Sequence, residues 1–339
     1  MRHPSTLRET PLRAAVAGAS LSLGLALLAV LAPGCASRQP PAAGVAAPAI
    51  VPMMRYGPER AGTLRPGPAS DAKAALLARI NADRAAAGVS QLEWDAVAER
   101  AGDAFCLDAA RSGVMGHWDL AGRAPYDRLA DAGGVDFSAE NFSGTSRTGF
   151  SVHASELVGL VLEAHGRMMA EKPPGDGHRK AILDPVWTHV GIGVAFEGGE
   201  FRMTEEFTRH AAVWVEAPAG RVRAGRSVTV SVQLPKGWSL AAVEIAYERF
   251  PRALSATEIS RRGSYGFPPA SQTLRPRLGG GFRYSDGTSG DVISDGGLVR
   301  ARVALLSGPG SYWVLVFADV GLADGKTLAP ITAVRIAAD

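Results

Sequence analysis

A histidine at the start of a short helix is the residue of this sequence best placed to do chemistry. His178 follows Gly177 in the run Gly175–Pro185, where glycine permits a sharp backbone bend and a proline ends an amphipathic turn. Upstream lie His117 and Glu140, a second histidine and a carboxylate that could complete one polar site. Such groups in a single cleft could bind a divalent cation or exchange a proton with a ligand. The fold would have to bring together residues that lie far apart in the sequence.

The middle of the chain carries the elements that would position these residues. Apolar residues at helical spacing, capping residues and glycine stops predict four helices, over residues 71–88, 95–113, 125–134 and 155–169. Residues 190–207 alternate on either side of a Glu-Gly-Gly-Glu turn, a pattern that predicts a β-hairpin. Helices followed by antiparallel strands indicate an α+β domain over residues 71–210.

The pattern changes from Trp214 onward. Apolar and alternating runs are separated by turns rich in Gly, Pro, Ser and Asp, and no helical pattern persists. The runs cover residues 227–234, 241–247, 298–305, 312–318 and 331–336. They predict a smaller all-β domain of sandwich type over residues 214–339. We expect the glycine-rich stretch 278–297 to be a long loop.

Five short motifs in a fixed order resemble those of the CAP superfamily. This superfamily comprises the cysteine-rich secretory proteins, antigen five, the plant pathogenesis-related class one proteins and the bacterial SCP-like proteins. The motifs are Leu77–Arg84 with Leu92–Asp95, Met115–His117, Ala139–Asn141, Gly177–Leu183 and Thr204–Phe207. Each motif is weak alone, so their order carries the resemblance. It covers residues 71–210 and implies a three-layer α-β-α sandwich, in agreement with the predicted helices and hairpin.

The resemblance also implies a groove lined by two histidines and two acidic residues. His117, Glu140 and His178 match three of these positions. Glu171 is the best candidate for the fourth, because it directly follows the fourth predicted helix. Two further acids compete for that place: Glu163 and Glu205.

Two imidazoles and two carboxylates in one groove allow three kinds of chemistry. The neutral side chains of His117 and His178 could ligate a divalent metal, for which Zn²⁺ is the usual fit. A histidine beside a carboxylate could act as an acid/base pair. The four groups could instead satisfy one another's hydrogen bonds and fix the surrounding loops. No motif places a serine or cysteine nucleophile beside either histidine.

Other polar residues near the motifs have structural interpretations. We expect His189 to be structural because it opens a strand, and Asn141 to anchor a turn. At the helix start, Arg179 is expected to be solvated. Three histidines have no motif support and are expected on the surface or in packing: His153, His165 and His210.

The N-terminal residues predict export and lipid attachment. Basic residues precede an apolar segment, Ala14–Ala32, which ends in small residues before Cys35. This arrangement resembles a bacterial lipobox and implies a signal peptide over residues 1–34, with acylation of the cysteine. Several acyl chains would anchor the protein in a membrane, the outer one in a cell with two membranes. Residues 35–70, rich in Pro, Ala and Gly, are predicted to be a tether. The alternative is a secretory signal with an incidental cysteine.

Composition narrows the classes of function. The 339 residues carry a net charge of only +3 and no dense basic block, so nucleic-acid binding is not indicated. No glycine motif for phosphate or dinucleotide binding occurs. If Cys35 is acylated, Cys106 has no disulfide partner, and its apolar neighbours predict a buried side chain.

Three functions stay open from the sequence. The first is a membrane-anchored, envelope-exposed CAP lipoprotein whose groove binds a metal or an envelope lipid, glycan or protein without turnover. The second is a hydrolase of peptidase type, which would need a metal-activated water in place of a nucleophile. The third is an interaction protein that acts through the β-domain and has a vestigial groove. The lack of a nucleophile favours the first.

Overall fold

The computed structural model of the protein describes residues 53–56, 62–64, 66–320 and 328–339. The predicted signal peptide, Cys35 and most of the predicted tether lie outside these residues. Among the helices of the described chain, none combines the length and apolar character needed to cross a membrane.

Helices and strands follow one another in an order that separates a mixed N-terminal region from a strand-rich C-terminal one. The first group is β1 (Met53–Tyr56), α1 (Ser70–Ala86), β2 (Glu93–Trp94), α2 (Ala96–Ser112), α3 (Pro125–Asp131), β3 (Phe137–Ser146), α4 (Leu157–Met169), α5 (Gly177–Leu183), β4 (His189–Glu197) and β5 (Glu200–Arg209). The second group is β6 (Val213–Pro218), β7 (Ser227–Gln233), β8 (Ser239–Glu248), α6 (Ala256–Ser260), β9 (Ala270–Leu274), β10 (Ile293–Asp295), β11 (Leu298–Ala304), β12 (Gly310–Asp319) and β13 (Leu328–Ala338).

The N-terminal region is built on a four-stranded sheet in the order β2-β4-β5-β3. The predicted hairpin is confirmed: β4 and β5 pair antiparallel and Glu197 faces Glu200 across the turn. On the far side of β5, β3 pairs antiparallel and forms one edge of the sheet, with Glu140 opposite Glu206. This edge strand is the element that carries the predicted carboxylate.

Helices cover both faces of this sheet, which confirms the predicted α+β class and the three-layer arrangement. On β4, Val190 and Ile192 pack into a core shared with α1, α4 and α5. The alternate residues Gly191 and Gly193 face α2, because successive side chains of a strand point to opposite faces. A Cβ on Gly193 would lie 2.3 Å from a backbone atom of Gly102 in α2, so the helix and the strand touch backbone to backbone.

Local signals explain where several helices begin and end. The Asp95 side chain accepts hydrogen bonds from the backbone N–H groups of Val97 and Ala98, as expected of the residue that caps α2. The helix stops at Gly113, whose φ of 67° lies in the left-handed region that favours glycine. Pro125 occupies the first turn of α3, where its missing N–H costs nothing.

The C-terminal region is a β-sandwich, as predicted. Its two antiparallel sheets have the orders β1-β6-β7-β11-β10 and β13-β12-β8-β9 and enclose one apolar core, which includes Trp214, Ile245 and Val314. All five predicted apolar runs are strands. Five strands and one helix were not predicted: β3 of the N-terminal sheet, β6, α6, β9, β10 (within the predicted loop) and β1, which lies in the predicted tether and pairs with β6.

A long connection of the sandwich extends onto the N-terminal region. Residues 249–269, between β8 and β9, are called the strap here. The Leu254 N–H donates to the Leu120 carbonyl at 2.9 Å, and Leu254 and Ile259 pack against Val114. The described residues all belong to one compact unit. Independent folding of residues 71–210 stays a prediction.

Candidate functional site

A groove with a volume of about 560 Å³ runs along the edge strand β3. Residues 137–141 of β3, the start of α5 and residues 264–267 of the strap line it. The four residues predicted for the site all contribute to this lining: His117, Glu140, Glu171 and His178. The structure therefore places them in one groove.

The first histidine of the groove is held by a buried carboxylate. Nδ1 of His117 lies 2.8 Å from Oε1 of Glu140. The other carboxylate oxygen accepts a hydrogen bond from the guanidinium of Arg128, which is buried as well. Because an ionised carboxylate only accepts hydrogen bonds, Nδ1 of His117 carries a proton, and in the neutral ring Nε2 then keeps its lone pair.

The charge of Glu140 is fixed by its surroundings. Burial opposes ionisation, but Arg128 and His117 outweigh it and hold the pKa of Glu140 below its ordinary value. Glu206 faces Glu140 from β5. Burial and the Glu140 charge raise the pKa of Glu206 well above its ordinary value, which favours the protonated form that can donate to Glu140. With three donors, the Glu140 carboxylate is a rigid support for His117.

The second histidine is paired with the acid that precedes α5. Nδ1 of His178 lies 2.5 Å from Oε1 of Glu171, and the backbone N–H of His178 donates to Oε2 of the same residue at 3.0 Å. This pair is more exposed than the first. The competing Glu163 is an exposed residue that pairs with Arg167 in the next turn of α4.

The other competing acid, Glu205, lies beneath the groove. It is completely buried, and its carboxylate accepts hydrogen bonds from His165 at 2.7 Å and from the Asn141 amide at 2.9 Å. Nε2 of His165 lies 2.9 Å from Asp83. The Asn141 amide also donates to the carbonyl of His178 at 3.2 Å. Asn141 thus sits in β3 rather than in a turn, and it connects the buried charges to the second histidine.

A second histidine cluster lies where β2 and β5 end and β4 begins. The rings of His189 and His210 stack with centroids 3.8 Å apart, and Nε2 of His210 lies 2.8 Å from Asp95. Burial and the neighbouring His210 lower the pKa of His189 to about 4. Asp95, Asp136 and His210 place ligand atoms within 4.8 Å of one another. Because Asp95 caps α2, this cluster joins the helix to the sheet.

The remaining predicted side chains lie away from the groove chemistry. His153 and Arg179 are exposed, and His165 is fully buried. Cys106 is buried as expected, and burial raises the pKa of its thiol well above the ordinary value. A thiol in this state is a poor nucleophile.

Three residues of the site were not predicted from the sequence: Arg128, Glu206 and Tyr265. Glu206 had a detectable signal, because it lies next to Glu205 in a predicted strand and must face the opposite side. Arg128 sits on α3 without any local pattern. Tyr265 reaches the groove from the C-terminal region, 125 positions from Glu140.

Comparison with known proteins agrees with this architecture. Residues 77–213 match the model of the CAP family, the cysteine-rich secretory protein family. These residues form a CAP domain, which is followed by a strand-rich C-terminal region.

Two solved structures are similar to parts of the chain. One is an extracellular protein containing an SCP domain from Bacillus anthracis, with 18% identity over 41% of this chain and a TM-score of 0.32; the match spans 40% of that protein. The other is an outer surface protein from Borrelia burgdorferi, with 12% identity over 41% of this chain and 93% of that protein, and a TM-score of 0.33. No curated protein matches the chain.

Proposed function

We propose that this protein binds its ligand in the CAP groove through His117 and His178, without turnover. The observation that carries the proposal is the common arrangement of the two rings. Each Nδ1 is held by a carboxylate, Glu140 or Glu171, at 2.8 and 2.5 Å. Within the described residues, no hydrogen bond engages Nε2 of either ring, so in the neutral rings this nitrogen is open to a ligand.

The types of donor in the groove, two imidazoles backed by carboxylates, suit a divalent cation. Histidine ligands of metals usually donate the other ring N–H to a carboxylate, which fixes the tautomer and raises the basicity of the ligating nitrogen. His117 and His178 both have such a carboxylate, and neutral imidazole suits Zn²⁺. A bound Zn²⁺ would supply a Lewis acid at the groove, held by these two rings, with further positions left for a small ligand.

Zinc binding is tested by calorimetry on the full chain. We expect wild type to bind one Zn²⁺ and the double variant His117→Ala/His178→Ala to lose that event with little change in melting temperature. His153→Ala, which removes an exposed histidine outside the groove, should bind like wild type. Equal binding by the double variant would reject the metal site, and a collapsed melt would indicate that the pairs serve the fold.

The surroundings of the two histidines favour binding over hydrolysis. In the part of the chain that the structure describes, no serine or cysteine side chain forms a hydrogen bond with His117 or His178. Cys106 is buried among apolar residues. Hydrolysis would therefore need a metal-activated water. A zinc-loaded protein that cleaves unfolded polypeptides, with loss of cleavage in His178→Ala, would favour that alternative.

The proposal includes export and a lipid anchor at Cys35, which lies outside the described residues. The support is the N-terminal sequence: an apolar segment ends in Ala-Pro-Gly-Cys, and a Pro/Ala-rich stretch follows. In cell fractionation, we expect the wild type in the membrane fraction and the Cys35→Ser variant as a larger, unprocessed precursor. Equal membrane association of a processed Cys35→Ser protein would contradict the lipid anchor. With the anchor in place, the tether would present the groove to its partner in the cell envelope.

A further inference from the structure

We propose that Tyr265, supplied by the C-terminal region, is a positioning residue of the groove that holds the His117–Glu140 pair in its binding geometry. The proposal rests on the proposed function of the groove and assigns a role to the C-terminal region within it. The CAP groove is then a composite site, completed by a side chain that lies far outside the CAP domain.

Tyr265 contacts both members of the first pair. Its ring packs on the imidazole of His117, with ring centroids 4.7 Å apart and planes tilted by 55°. Its hydroxyl accepts a hydrogen bond from the backbone N–H of Glu140 and donates to the Glu140 carbonyl at 3.3 Å. One side chain therefore limits the rotation of the histidine ring and fixes the backbone of the residue that holds it.

The position of Glu140 on an edge strand gives these bonds their importance. Hydrogen-bonded and non-hydrogen-bonded pairs alternate in an antiparallel ladder, and β5 is the only strand that pairs with β3 in the described sheet. The N–H and C=O of Glu140 point to Tyr265, so they lie on the open side of the sheet. Without the hydroxyl, this point of β3 would be held only by its side-chain contacts and its neighbours in the ladder.

The strap is anchored independently of Tyr265. Leu254 and Ile259 pack on Val114, and the ring of Phe267 stacks on Tyr126 with centroids 4.5 Å apart. Substitutions at Tyr265 should therefore leave the strap attached and the protein folded. They would act on the groove.

The second pair provides an internal reference. In the described residues, no hydrogen bond or ring contact joins the strap to His178 or Glu171. Loss of Tyr265 should thus loosen His117 and leave His178 unchanged. A general loss of stability would affect both histidines.

The first experiment measures Zn²⁺ affinity by calorimetry in full-length wild type, Tyr265→Phe and Tyr265→Ala. Changes in groups that support metal ligands typically weaken metal binding about 10- to 100-fold, so we expect about tenfold weaker binding for Tyr265→Ala. Tyr265→Phe keeps the ring and loses the hydroxyl, and its loss should be intermediate. The matched control is Tyr247→Phe, which removes a hydroxyl bonded to the Pro309 carbonyl in the same region and should bind like wild type.

The second experiment needs no metal. Long-range ¹H–¹⁵N NMR spectra at one fixed pH report the tautomer of each imidazole. Wild type should show both groove histidines with the proton on Nδ1, and Tyr265→Ala should broaden or mix the His117 signals and leave those of His178 unchanged. If Tyr265→Ala fails to fold, both measurements are made on Tyr265→Phe instead.

The outcomes separate this proposal from the proposed function. Wild type that binds no Zn²⁺ would reject the metal site, and the His117 signals would still decide the role of Tyr265. Equal Zn²⁺ affinity in wild type and Tyr265→Ala, or unchanged His117 signals in a chain that binds no Zn²⁺, would overturn it. A selective change at His117 with a normal melting transition supports it.

Discussion

Replacing Gly193 by alanine is expected to lower the free energy of unfolding by about 3 kcal/mol, because overpacking forces backbone shifts. A Cβ at this position would lie 2.3 Å from the carbonyl carbon of Gly102 and 2.5 Å from its oxygen. Neither atom belongs to a flexible side chain, so α2 must move away from β4. Chemical denaturation of the full-length protein measures the loss.

A glycine on the surface of α4 provides the matched control. Nothing lies within 4 Å of the Cβ that Gly159→Ala would add, and alanine favours a helix over glycine by about 0.5–1 kcal/mol. We expect Gly159→Ala to be neutral or slightly more stable than wild type. A Gly193→Ala protein as stable as wild type would show that the contact between helix and strand is not tight.

The elements that the sequence predicted well are those with local causes. Asp95 and Gly113 mark the two ends of α2 through a cap and a left-handed turn, which depend on a few neighbouring residues. The β4–β5 hairpin follows from alternation about a two-glycine turn, and the sandwich strands from apolar runs between turn residues. Periodicity also predicted the fourth helix, whose buried face includes Leu157, Val161 and Met168.

The elements that the sequence missed depend on distant partners. β1 lies in a Pro/Ala-rich segment and becomes a strand because β6 offers it an edge. The strap has no periodicity of its own, since it is held by contacts with Leu120, Val114 and Trp118 of the other region. Single-sequence patterns contain no information on which surface such a connection will cross.

The site residues also divide into those that local motifs predicted and those that depend on distant partners. His117, Glu140 and His178 were found through the order of the CAP motifs, and Glu171 through its place after the fourth helix. Glu205 was weighed as a groove residue, whereas its neighbour Glu206 is the acid that contacts Glu140. Adjacent residues of a strand point to opposite faces of the sheet, so the sequence shows that Glu205 and Glu206 lie on different faces. Which side meets the groove depends on the register of β3 and β5.

Removing His165 is expected to destabilise the protein strongly and in a pH-dependent way. His165 lies between Glu205 and Asp83, at 2.7 and 2.9 Å, and it is fully buried together with Glu205. Burial acts against the imidazolium, but the two carboxylates outweigh it and raise the pKa of His165 above its ordinary value. His165→Ala leaves the Glu205 charge buried without this partner, a change that typically costs about 3–5 kcal/mol.

The raised pKa determines how that loss varies with pH. A histidine whose folded-state pKa exceeds its unfolded value of about 6.5 contributes full stability below that value and loses the contribution as pH rises through the folded-state pKa. The difference in unfolding free energy between wild type and His165→Ala should therefore be larger at pH 6 than at pH 9. His153→Ala, an exposed histidine, should show no such difference. The groove should respond too, since Asn141 joins Glu205 to the His178 carbonyl. An equal loss at both pH values would show that His165 is neutral in the folded protein, and the buried charge network beneath the groove would then be wrong.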